Sequence, residues 1–262
     1  MLFDYTRKVM VTTERPQPSP AAPVALPADA RDRLIVALDF PSAAEAITLV
    51  DRLDGACQWF KVGLELYLAA GNSIIKALED RGHSVFLDLK LHDIPNTVAG
   101  AVRSVAAIGP GLLTVHAAGG PVMLKAAADA TANGPVLLAV TVLTSMDGPQ
   151  LQSVGVFDSP ADQVLRLANV AIASGIRGLV CSPEEVGRLR AALGPQIILV
   201  TPGIRPAGSA AGDQKRTATP GVAIAAGASY LVVGRPITEA PDPAAATRAI
   251  VDEIAAAGKS AI

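Results

Sequence analysis

Eight short apolar runs, separated by longer segments in which apolar residues recur at helical intervals, constrain this chain more than any other feature of its sequence. The runs read RLIVALD (33–39), CQWFKVG (57–63), SVFLDLK (84–90), LLTVHAA (112–118), VLLAVTVLT (136–144), GLVCS (178–182), IILVTPG (197–203) and YLVVGR (230–235). Between them lie stretches such as SAAEAITLVDRL (42–53), NTVAGAVRSVAAIG (96–109), ADQVLRLANVAIASG (161–175) and PAAATRAIVDEIAAAG (243–258), several with glycine near the end. Such alternation implies parallel strands joined by right-handed helical crossovers. Eight units within 262 residues account for a closed (β/α)8 TIM barrel. An open doubly wound sheet is the weaker alternative, because no GxGxxG follows the first strand.

Half of the residues are hydrophobic, enough for the core of one domain, expected over residues 31–262. Residues 1–30 differ: five prolines between Pro16 and Pro27 block helical and ladder hydrogen bonding, so this stretch reads as a disordered or loosely docked tail. It lacks the apolar stretch and small-residue cleavage site of a secretory signal. A formal net charge of −2, with Lys and Arg scattered, argues against a nucleic-acid partner. No apolar run reaches the ~20 residues that a membrane span requires. Cys57 and Cys181 lie in apolar runs with no CxxC spacing, which supports neither a disulfide framework nor a zinc knuckle. The expectation is a cytoplasmic protein with no membrane or nucleic-acid partner.

In a barrel of this type the chemistry sits where the strands end. Here those ends carry Asp39, Lys61, Asp88 with Lys90, His116, Thr144, Ser182, Arg205 and Arg235. Folding needs no such cluster, since a hydrophobic residue at each position would cost less desolvation. In the third run, alternation puts Val85, Leu87, Leu89 and Leu91 on one face, toward the helices. Phe86, Asp88 and Lys90 share the other, toward the barrel mouth. Same-face neighbours are roughly 7 Å apart along a strand, close enough for Asp88 and Lys90 to meet. Asp93, just past the strand, is expected to curl back toward the same amine. At ~4 Å and an effective dielectric of ~20, each such pair contributes roughly 4 kcal/mol, so Lys90 should keep its proton and act as a donor. An ion pair that merely ties the strand to its loop would account for Asp88 and Lys90 alone, but not for Asp39 and Lys61 at the neighbouring strand ends. His92 reads as a loop residue. The three histidines form no HxH or HxxxH pair, so no metal site is expected.

The opposite side of the mouth has the composition of a phosphate site. The loops after the seventh and eighth runs, TPGIRPAGSAAGDQKR and VVGRPIT, bring Gly203 and Gly234 for close backbone approach, Arg205 and Arg235 as forked donors, and the Gln214 amide. The Gly- and Ala-rich stretch from Pro206 to Gly212 has the composition of a lid that orders over a ligand, and equally that of a plain flexible loop.

The run FLDLKLHDIPNTV (86–98) resembles the signature of the orotidine 5′-phosphate decarboxylase family, Asp-x-Lys-x-x-Asp-Ile-Pro-x-Thr. VALD, FKVGLEL, VTVLTS, TPGIRP, GDQKR and VVGRPI follow in the family's order, so the resemblance spans about Leu34 to Ile237. It implies decarboxylation of orotidine 5′-monophosphate to uridine 5′-monophosphate in de novo pyrimidine biosynthesis, with no metal or organic cofactor. Lys90 would be the catalytic proton donor, flanked by Asp88 and Asp93, with Asp39 and Lys61 completing an alternating charge network and holding the ribose. Thr144 would contact the pyrimidine side, and Ile94 and Pro202 would also touch substrate. Arg205, Gln214, Gly234 and Arg235 would hold the phosphate. Asp93 and Thr97 would reach into a partner chain's site, which implies a homodimer. The same Asp-x-Lys-x-x-Asp also resembles the magnesium-dependent 3-keto-gulonate-phosphate decarboxylases and hexulose-phosphate synthases. Those carry an acid in place of Lys61, so FKVG disfavours them.

Overall fold

In the computed structural model, which describes residue 27 and residues 29–131, 134–207 and 216–259, eight parallel strands close into a barrel in chain order. They are β1 (Leu34–Ala37), β2 (Trp59–Gly63), β3 (Ser84–Leu91), β4 (Leu112–His116), β5 (Val136–Val140), β6 (Gly178–Val180), β7 (Ile198–Thr201) and β8 (Tyr230–Val233). Pairing of Leu34, Ile35 and Val36 with Leu231, Val232 and Val233 joins the first strand to the last and removes the open-sheet alternative. Nearly all of the proline-rich tail lies outside the described residues.

Every expected strand is present, but most stop short of their apolar runs. The run from 136 to 144 leaves the ladder after Val140, yet Val142 stays buried. Val142 packs into the helix-facing core and also lines a cavity, without pairing in the ladder. The connecting helices begin where local chemistry satisfies their first N–H groups. Ser42 and Ser159 accept from the backbone N–H of Glu45 and Asp162 at 3.3 and 3.2 Å, and Pro95, Pro160, Pro183 and Pro220 occupy first turns, where no N–H is needed.

Strand alternation divides the apolar residues into two layers. Leu34, Val36, Phe60, Val62, Val85 and Leu87 pack outward under the helices, while Ile35, Phe86, Leu112, Leu138, Ile198 and Tyr230 fill the barrel interior. Each such fully buried side chain contributes about 1.5–3 kcal/mol. At the amino end of the strands Trp59 and Tyr230 meet edge to face, with ring centroids 5.6 Å apart, and fill the interior. A cavity opens at the other end.

β3 is the longest strand, and its eight residues carry Asp88 and Lys90 past the apolar filling. Between Leu87 and Leu91 its register against β4 slips: four steps on β3 oppose the two from Leu113 to Val115, a bulge of two residues. Within it Lys90 has a φ of +51°, a left-handed conformation that residues with a Cβ rarely adopt. The two expected faces survive. Leu87, Leu89 and Leu91 pack against the helix-facing core, and Phe86 sits inside the barrel.

Candidate active site

A cavity of about 560 Å³ occupies the carboxyl end of the barrel, above a floor that includes Phe86, Val140, Val180 and Val232. Asp39, Lys61, Asp88 and Lys90 line one wall, and Thr144, Pro202, Gly203, Arg205, Gly234 and Arg235 also line it.

The first wall is a chain of alternating charge. Lys61 Nζ donates to Asp39 Oδ1 at 2.8 Å and lies 3.9 Å from Asp88 Oδ2; the same oxygen accepts from Lys90 Nζ at 2.8 Å. Adjacent strands bring these residues together: β1 and β2 align Ala37 with Lys61, and β2 and β3 align Gly63 with Asp88. Exposure of the side chains grades along the chain, 62% at Asp39, 12% at Lys61 and Asp88, and 32% at Lys90, so the middle members are shielded from water while the ends face the opening. Shielding lowers the local dielectric and strengthens each attraction. Gly63 makes room for it, since a Cβ there would stand 2.9 Å from Lys61 Nζ.

Sequence reasoning missed one residue, buried behind this wall. Thr114 donates its hydroxyl to Asp88 Oδ1 at 2.9 Å and accepts from the backbone N–H of Lys90 at 2.8 Å. A signal existed: in β4 it shares the inward face with Leu112 and His116, a polar residue where packing alone calls for an apolar one.

Across the cavity, β7 exits through Gly203, whose φ of +78° suits only glycine well. Arg205 N–H then donates to the Ala218 carbonyl at 2.9 Å, tying together the two feet of the long loop. Gln214 and the 208–212 part of the expected lid lie outside the described residues. The second foot is pinned by an ion pair between Arg216 and the buried Glu185, and Glu185 also accepts from the Ser182 N–H at 2.8 Å. Neither role was read from the sequence, because a glutamate on an amphipathic helix looks like a solvated one. Burial, and secondarily the nearby Arg235, lower the Arg205 pKa. Both guanidiniums line the same cavity.

Asp93 corrects an expectation. Rather than curling back to Lys90, it is exposed, accepts from the Ile94 N–H at 2.6 Å, and makes no ion pair within 4 Å among the described residues. The start of helix Pro95–Ala106 carries it outward together with the exposed Ile94 and Thr97, and none of the three lines the cavity of its own chain. His116 stacks at 5.4 Å on His92; burial first, then His92 and Lys90, lower its pKa, which favours a neutral ring. Cys181 lines the cavity, but burial pushes its thiol up to about 12, so it is no nucleophile at neutral pH. Among the described residues no three His, Cys, Asp or Glu side chains cluster as metal ligands would, and no helix is long and apolar enough to cross a membrane.

Comparison with known proteins gives a consistent result. The family model described as orotidine 5′-phosphate decarboxylase / HUMPS family matches residues 32–250. An orotidine 5′-phosphate decarboxylase of Halorhodospira halophila is 56% identical over 229 residues, covering 86% of this chain and 97% of its own length. One from Rhodopseudomonas palustris is 55% identical over 237 residues, covering 90% and 98%. The crystal structure of orotidine 5′-phosphate decarboxylase from Lactobacillus acidophilus superposes with a TM-score of 0.77 at 42% identity, over 85% of this chain and 99% of that one.

Proposed function

This chain belongs to the orotidine 5′-phosphate decarboxylase / HUMPS family, and from that premise we propose that it converts orotidine 5′-monophosphate to uridine 5′-monophosphate in pyrimidine biosynthesis, with its own side chains as the only catalysts. The observation that carries this reading is the unbroken series Asp39, Lys61, Asp88, Lys90 along one cavity wall.

The chemistry asks for such a series. When the bond from C6 to the carboxylate breaks, CO₂ leaves and the electron pair stays on C6 as a vinyl carbanion, with no adjacent carbonyl to delocalise it. A fixed cation beside that carbon is favourable chiefly in the transition state. Lys90 supplies the charge and then transfers its proton to C6; water returns a proton to the amine. Asp88 holds the ammonium in place and, beside the substrate carboxylate, also repels the ground state; preorganised stabilisation ranks first of the two. Asp39 and Lys61 extend the alternation toward the ribose, and Thr144 and Pro202 face the base. Arg205, Arg235 and Gly234, with Gln214 of the loop, bind the phosphate. Remote from the reacting bond, that contact contributes binding free energy that holds the pyrimidine against the charges.

Asp93, Ile94 and Thr97 fit this scheme as residues lent to a second chain. Their exposure supports that role, as do the exposed apolar side chains of Leu64, Leu68, Ile94 and Val122 around the mouths of β2, β3 and β4. Leu68→Glu should convert the dimer to a monomer in size-exclusion chromatography with light scattering; a variant that keeps the dimer mass removes this rim from the interface. Residues 31–262 then form the catalytic unit and 1–30 its tail. Arg33 supports that boundary by donating to the carbonyls of Ser229 and Ala228 at 3.2 and 2.5 Å, which fixes the start of the barrel.

The magnesium-dependent relatives remain the second reading. Lys61 weighs against them, because its ammonium stands between the carboxylates of Asp39 and Asp88, where it would repel a divalent cation. Purified protein treated with a chelator should still consume orotidine 5′-monophosphate in an ultraviolet assay. Activity that returns only on adding magnesium would move the chain to that group.

A further inference from the structure

The left-handed turn at Lys90 demands an explanation, since it places a residue with a Cβ in a costly conformation inside a strand. The two-residue bulge against β4 takes the Lys90 N–H out of the ladder, and a buried N–H without an acceptor is destabilising. Its acceptor is Thr114, 24 residues away on the neighbouring strand, at 2.8 Å. The single proton of the same hydroxyl goes to Asp88 Oδ1 at 2.9 Å, and the other Asp88 oxygen accepts from Lys90 Nζ at 2.8 Å. A closed ring results, running from the Lys90 backbone through Thr114 and Asp88 to the Lys90 ammonium.

We propose that Thr114 is a positioning residue for the reaction: by holding the backbone of Lys90 and the carboxylate that grips its ammonium, it sets where the proton donor stands. This deepens, and rests on, the decarboxylase reading above. Packing alone gives no reason for the hydroxyl. Thr114 is fully buried, and valine would fill the same space with good strand propensity and no polar group to satisfy. Thr114 does not line the cavity, so it acts through Lys90 and Asp88 rather than on substrate.

The test compares Thr114→Val, which keeps the shape and loses the hydroxyl, with Thr114→Ser, which keeps the hydroxyl. Wild-type protein is assayed in parallel on orotidine 5′-monophosphate. For valine, kcat should fall by about 10- to 100-fold with little change in KM, the range expected when a supporting hydrogen bond is lost and a reacting group shifts. Serine should restore most of kcat; because valine also leaves the Lys90 N–H unpaired, its melting temperature should fall as well, so kcat and KM are read well below the melting range of every variant. Wild-type kcat in the valine variant, or equal losses in valine and serine, would overturn the proposal. If valine prevents folding, Thr114→Ala replaces it and serine must still exceed alanine. Crystal structures of the variants separate this claim from the decarboxylase reading. An unmoved Lys90 backbone and ammonium in the valine variant refutes the positioning role even if wild-type protein is inactive on the nucleotide, and absent wild-type turnover refutes the decarboxylase reading alone.

Discussion

Lys90→Ala is expected to lose at least roughly 10⁴-fold in kcat/KM, about 5 kcal/mol of transition-state stabilisation, while the barrel stays folded. The size follows from two functions in one group. Lys90 presents a positive charge where negative charge develops, and it delivers the proton that completes the product. The fold should tolerate the change because the Lys90 side chain is about a third exposed at the cavity and contributes nothing to the apolar layers. Asp88 would retain Thr114 and the nearby Lys61 as partners. Single-turnover assays at high enzyme concentration, read beside circular dichroism, check both halves; near-normal turnover in a folded variant would remove Lys90 from the chemistry.

Arg235→Ala is expected to act on the far wall and chiefly on binding. Loss of one forked, charge-assisted contact to a phosphate should raise KM by about 10²-fold, close to 3 kcal/mol, with a smaller fall in kcat. The loss should be specific to the phosphate: orotidine without its phosphate should react equally slowly with the wild type and the variant. Arg205, lining the same cavity, would remain and prevent a total loss. Unchanged affinity for phosphorylated ligands would take Arg235 out of the phosphate site.

These predictions concern residues that could be read from the chain alone, and the reason is local. Side chains alternate along a strand, so Phe86, Asp88 and Lys90 had to share a face whatever else the chain did, and strand ends in such a barrel converge on one mouth. That placed Asp39, Lys61, Arg205 and Arg235 around the same opening. Asp93 failed the same reasoning because its position depends on the direction in which the next helix leaves. Sequence spacing does not report that direction.

The sequence by itself determined the eight-fold alternation, the closed barrel that buries it, and the ring of charges at the strand ends, because periodicity and apolar burial act on neighbouring residues. Only the tertiary structure decided the register slip between β3 and β4, the left-handed backbone of Lys90, the Thr114 hydroxyl that satisfies it, and the buried grip of Glu185 on Arg216. Each of these joins groups far apart in the chain. Whether a polar atom is satisfied or stranded there depends on which partners folding delivers, and on placing them to within roughly a few tenths of an ångström of hydrogen-bonding distance.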